Sequence, residues 1–124
     1  MIEINKKYIE PQEWVIVRIK ERNNEPKYKV FATWRESIEN PSNWRLSTDI
    51  DRFSEDDDFY YFGGCMGSIY KCSKKSTHYT TGSDYTTHVL YEMINVSAPA
   101  KNTDVEILEY NTDFKQLFAN KKII

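Results

Sequence analysis

The sequence predicts an α+β domain: an antiparallel β-sheet of five to six strands, a hairpin plus a meander, with one or two helices packed on one face. Three observations predict it. Apolar and polar residues alternate in segments 26–35, 44–53 and 105–110, and segment 13–21 is rich in β-branched residues. Clusters of Asn, Pro, Gly and Asp punctuate that alternation at strand-length intervals. Apolar residues at helical spacing occur only in the last third, after Asp84. The chain of 124 residues fits a single domain, 1–124.

The elements follow in chain order. Segment 13–21 carries WVIVRIK, rich in β-branched residues, and segment 26–35 reads PKYKVFATWR. Asn23, Asn24, Glu25 and Pro26 between them supply turn chemistry, so the two segments form a first hairpin. Val15, Val17 and Ile19, with Tyr28, Val30, Ala32 and Trp34, are expected on its core face. Positions 39–43 form a loop. Segment 44–53 alternates again, with Trp44, Leu46, Thr48 and Ile50 sharing a face, and reads as a third strand. The acidic run 54–58 is a solvated turn. Segments 59–62 and 68–72 flank Gly63-Gly64-Cys65-Met66-Gly67, a glycine-rich hairpin connection, and complete a meander. Residues 73–85 are polar and read as a surface loop. Asp84 can cap a helix to about residue 94, with Val89, Leu90, Met93 and Ile94 on one side; a buried strand is the alternative. Residues 105–110, VEILEY, alternate as a strand. Thr112 or Asp113 then caps a terminal helix bearing Phe114, Leu117 and Phe118 on one face, with Gln116 placed for a capping box.

Composition narrows the function classes. Apolar residues make up 40% and charged residues 29%, which excludes disorder, and the net charge is −2. Bulk charge therefore gives no reason to expect nucleic acid or an anionic membrane. Aromatic residues reach 15%, with nine Tyr, six Phe and three Trp. Most belong in a β-rich core, and any surplus would form a contact surface. No apolar run approaches the length of a membrane span, and the first residues lack the apolar stretch of a signal peptide. A cytoplasmic protein with reduced thiols is the expectation.

No motif dictates a chemistry. Cys65, Cys72, His78 and His88 stand at C-x6-C-x5-H-x9-H, unlike the short paired spacings of zinc sites, so no metal or cofactor is expected. The acids Asp49, Asp51 and 55–58 fail the EF-hand pattern, because Ser54 and Tyr60 stand where Gly and Glu are needed. GGCMGS lacks the Lys-Ser/Thr of a P-loop. Cys65 with His78 or His88 and Asp84 makes the best catalytic set, and His88 is its preferred general base. Asp84 would lie one helical turn before it.

Charge distribution carries a further expectation. Segment 14–35 holds six cations (Arg18, Lys20, Arg22, Lys27, Lys29, Arg35) against Glu21 and Glu25, and so is basic within an acidic chain. If the hairpin alternates as described, Arg18, Lys20, Arg22, Lys27 and Lys29 project from its outer face beside Trp14, Ile16 and Phe31. Such a face is either a binding surface or a solvated one whose Lys and Arg stems cover the aromatics.

The Asn, Lys, Ile and Tyr bias resembles that of AT-rich bacterial or phage genomes. The small size without catalytic motifs resembles accessory products of mobile elements or gene cassettes. The expected function is a small non-enzymatic binding or assembly module whose partner is another protein or a second copy, away from membranes. A nucleic-acid-binding module using the basic hairpin face is the alternative. A small hydrolase or transferase around Cys65, His78 and His88 comes third.

Overall fold

The computed structural model describes residues 8–34, 43–76, 92, 100–108 and 112–124. Within them the chain forms nine strands: β1 (Tyr8–Ile9), β2 (Glu13–Glu21), β3 (Lys27–Trp34), β4 (Asn43–Leu46), β5 (Ile50–Glu55), β6 (Phe59–Gly64), β7 (Ile69–Ser73), β8 (Thr103–Ile107) and β9 (Lys122–Ile123). The helix α1 (Phe114–Leu117) lies between β8 and β9. The strands build two sheets, one of five strands ordered β1-β7-β6-β5-β9 and one of four ordered β4-β3-β2-β8.

This corrects the expected α+β fold. Among the described residues two sheets pack on each other rather than one sheet carrying helices on a face, and α1 is a single turn inserted at their junction. The reason lies in the core. Trp14, Ile16, Val30 and Ala32 from the four-stranded sheet meet Ile50, Phe53, Phe62, Tyr70 and Cys72 from the five-stranded sheet, and Phe114 and Phe118 complete the cluster. A sheet with one apolar face must bury it, and here each sheet covers the other. Apart from Glu92, the helix expected over residues 84–94 lies outside the described residues.

The first hairpin forms where its alternation and turn place it, but its faces differ from expectation. β2 and β3 pair with Ile16 opposite Val30, Val15 opposite Phe31 and Val17 opposite Lys29. Cross-strand partners share a face, so Trp14 and Ile16 point with Val30 and Ala32 into the core between the sheets. Val15, Val17 and Phe31 form a second buried cluster on the opposite face, with Ile19, Trp44, Leu46 and Val105. Both faces of this hairpin are apolar: one packs on the five-stranded sheet, and the other joins Ile19, Trp44, Leu46 and Val105. The pattern alone then leaves open which face turns inward, and the turn sets only which side chains of β3 share a face with those of β2.

Segment 44–53 is two strands rather than one. β4 pairs with β3, while β5 pairs with β6 in the other sheet. The corner is Ser47, which is buried. Its backbone N–H donates to the Val30 carbonyl (2.9 Å), and its Oγ accepts from the Val30 N–H (2.8 Å) and donates to the Thr48 carbonyl (2.7 Å). These bonds satisfy the backbone where the ladder ends and the chain crosses between sheets.

The meander β5-β6-β7 is antiparallel, as its turns suggest. Gly64 and Ser68 close the β6–β7 turn through an N–H to carbonyl bond of 2.8 Å, and Gly67 takes φ of 98°, a conformation open to glycine. Asp113 caps α1, its Oδ1 accepting from the Gln116 N–H at 3.1 Å. Among the described residues no helix is long and apolar enough to cross a membrane.

Candidate functional site: the outer face of the five-stranded sheet

The residues that the sequence places on a basic hairpin face do not come together. Arg18 points to the core side of its sheet, at the open end, where its Nη1 donates to Glu106 Oε1 at 3.1 Å. Lys20 follows by alternation on that side, and its Nζ donates to the Glu21 carbonyl. Lys27 and Lys29 sit on the opposite side and both pair with Asp49, at 3.6 and 3.7 Å. Arg22 lies in the exposed turn. Trp14 is fully buried, and its Nε1 donates to the Ser73 carbonyl at 2.9 Å, tying the two sheets together. Phe31 is equally buried, stacked on Trp44 with ring centroids 5.5 Å apart. The expected single basic face is thus divided between two sides of a sheet, and its aromatic members are core.

The catalytic set is not assembled within the described residues. Cys65 is exposed in the β6–β7 turn, its N–H bonded to the Asp49 carbonyl at 2.9 Å. It lines an open cleft of about 530 Å³ with Tyr28, Asp49, Asp51 and Lys121. His78, His88 and Asp84 lie outside the described residues. Cys72 is buried in the core, and burial pushes its thiol well above the usual range, which holds it in the unreactive protonated form. No group of three His, Cys, Asp or Glu side chains placed to hold a metal occurs among the described residues.

A different surface gathers aromatic and charged side chains. On the five-stranded sheet the core face takes Phe53, Tyr60, Phe62, Tyr70 and Cys72. Alternation sends their neighbours outward. Cross-strand pairing lines up Tyr8, Ile69, Gly63, Arg52 and Lys122 across all five strands. The next row is Lys71, Tyr61 and Ser54, and beyond it Phe59 faces Ser73.

The side chains of these rows interlock. Tyr8 reaches across β7 to Tyr61, with ring centroids 5.5 Å apart, and Phe59 lies 6.4 Å from Tyr61. Lys71 Nζ stands 4.4 Å above the Phe59 ring and 6.0 Å from that of Tyr8, where each ring face attracts the cation. The Arg52 side chain lies over Gly63, so close that a Cβ there would meet its Nε at 3.0 Å, and its Nη2 donates to the Gly64 carbonyl. Glycine at 63 is what lets the guanidinium lie flat on the sheet.

Asp56 closes one end of this face. Its Oδ1 accepts from the N–H groups of Asp58 (2.9 Å) and Phe59 (2.8 Å), and its Oδ2 accepts from the Tyr61 hydroxyl at 2.8 Å. The Tyr61 bond, then those from the Phe59 and Asp58 backbone, hold the Asp56 carboxyl below its ordinary value of 3.8. Desolvation, followed by the bond to Asp56 and its charge, pushes the Tyr61 phenol up to about 12. The acidic run is therefore a turn built around one anchored carboxylate, with Asp57 and Asp58 left at its exposed tip.

Sequence reasoning missed this surface because its parts are scattered from Tyr8 to Lys122. The available signal was the period of two in 59–62 and 69–72: once Tyr60 and Phe62 are core, Phe59 and Tyr61 must face outward. Comparison with known proteins adds no relative: no protein family matches the chain, and neither a curated protein nor a solved structure matches it.

Proposed function

We propose that this protein is a small non-enzymatic binding or assembly module that contacts a protein partner through the outer face of its five-stranded sheet. One observation carries the reading. Most aromatic side chains of the described chain are spent in the two buried clusters, whereas Tyr8, Phe59 and Tyr61 form a patch on an outer sheet face, bordered by Lys71 and Arg52. Tyr8 is 37% exposed and the others are half-buried. Aromatic rings and arginine are the side chains that protein interfaces favour, since they offer large area for little lost rotamer freedom.

A nucleic-acid role for the first hairpin has less support, since Arg18 lies on one side of the sheet and Lys27 and Lys29 on the other. A binding role in a reducing compartment such as the cytoplasm accords with two free thiols, one of them exposed.

The test places a photo-crosslinking phenylalanine analogue at Phe59, and in a control at Lys20, in the full chain expressed in bacterial cells. Irradiation should yield protein adducts heavier than one chain from position 59 and none from position 20. A folded position-59 variant that gives no adduct overturns the proposal.

A further inference from the structure

The outer face of the five-stranded sheet is polarised along its strands. β1, β5, β7 and β9 run in one direction and β6 in the other. At the end where β5 and β7 begin, Arg52 and Lys122 sit side by side in register. Lys122 is exposed, and among the described residues it has no ion pair, while Arg52 is 3.4 Å from Asp51. At the opposite end, past Glu55, the β5–β6 turn carries Asp56, Asp57 and Asp58, all exposed. Beside that turn Lys74 is 3.7 Å from Glu55, and Lys71 lies near enough to act on the Asp56 carboxylate. The aromatic patch runs alongside this charge axis on β1, β6 and β7: Tyr8 stands in the row of Arg52 and Lys122, Tyr61 in the middle row with Lys71, and Phe59 next to the acidic turn.

We infer that the partner of this face is a second copy of the same chain, laid face to face with its strands reversed. The inference rests on the binding role proposed above for this surface. A face with a cationic end and an acidic end, flanked by an aromatic strip that spans both, is self-complementary under a two-fold axis through its middle row. Arg52 and Lys122 of each copy then meet the 56–58 turn of the other, and the aromatic patches meet at the axis. Each contact occurs twice, so a charge pattern that is weak on one surface counts double in the pair. A polyanion would be repelled by the acidic end, and an acidic partner by the same end.

Reciprocal charge exchange tests the arrangement. The wild-type chain should show a concentration-dependent rise in mass by light scattering, levelling at twice that of one chain. Asp57→Lys with Asp58→Lys makes both ends cationic. Arg52→Glu with Lys122→Glu makes both ends acidic. Asp56 is left alone, because it holds the turn. Each variant by itself should stay at the mass of one chain, and an equimolar mixture of the two should recover the doubled mass. Should Arg52→Glu disturb the sheet where it covers Gly63, Lys122→Glu alone replaces it and should weaken association by itself. Unchanged dimerisation of the folded variants, or no recovery on mixing, overturns the arrangement. A monomeric wild type overturns it as well. Photo-adducts from position 59 that contain a different protein would leave the binding role standing and overturn only the second copy as partner.

Discussion

Asp56 and Tyr61 fix each other across a turn. The carboxylate accepts two backbone N–H bonds that shape the β5–β6 connection, and it also anchors the phenol that carries the aromatic patch. The pH dependence follows from the two shifts. Tyr61 is raised, so its neutral form is favoured in the fold. That contribution is complete below its ordinary value of 10.0 and is lost as pH rises toward about 12. Asp56 is lowered, so its contribution is present above 3.8 and is lost as pH falls below it. Alkaline titration of phenolate absorbance should show one tyrosine ionising near pH 12 in the wild type. Asp56→Asn removes the charge and should bring that step down toward the ordinary value. Burial raises Tyr60 and Tyr70 too, so the difference between the two titrations is the readout, and identical curves would refute the coupling.

At the scale of elements, legibility tracked length. β2 and β3 alternate over eight or nine residues between clear turn signals, and the sequence places them within a residue or two. The meander and the Asp113 cap were equally legible, because their cues are local. β1 and β9 have two residues each, too few for a period, and exist only because β7 and β5 offer them an edge. The division of segment 44–53 left no mark either: Trp44, Leu46, Thr48 and Ile50 alternate through the point where the chain changes sheets. What breaks the strand is the pair of hydrogen bonds that Ser47 makes with the Val30 backbone. Ser47→Ala leaves the buried Val30 N–H without its side-chain acceptor and should cost about 1–3 kcal/mol. Denaturant titration reads this as a lower midpoint at unchanged slope, and a midpoint equal to wild type would show that the corner is held by other means.

At the scale of the molecule, the aromatic core joins what the elements leave separate. Trp14 from one sheet lies 5.5 Å from Phe62 in the other and 6.0 Å from Phe114 of α1, while Phe118 lies 5.5 Å from both Tyr28 and Phe53. Neither sheet can lose its partner without exposing this cluster, so the two should unfold together. All three tryptophans, Trp14, Trp34 and Trp44, belong to the four-stranded sheet. Their fluorescence therefore follows that sheet, whereas far-ultraviolet circular dichroism follows both. The two melting curves should coincide, and a separation between them would mean that the sheets unfold independently.

The sequence by itself determined the strands of the first hairpin, the meander, the glycine turn and the capped terminal helix, because each depends on neighbours in the chain. It also determined which side chains of a single strand share a face, through the period of two. Only the tertiary structure decided that there are two sheets, that Trp14 and Phe31 are core, and that Lys29 lies opposite Arg18 rather than beside it. A strand buried on both faces carries no record of which face turns inward, since water is excluded from each. Likewise, a surface assembled from Tyr8, Arg52, Phe59, Tyr61, Lys71 and Lys122 comes into being only when strands distant in sequence hydrogen-bond in register.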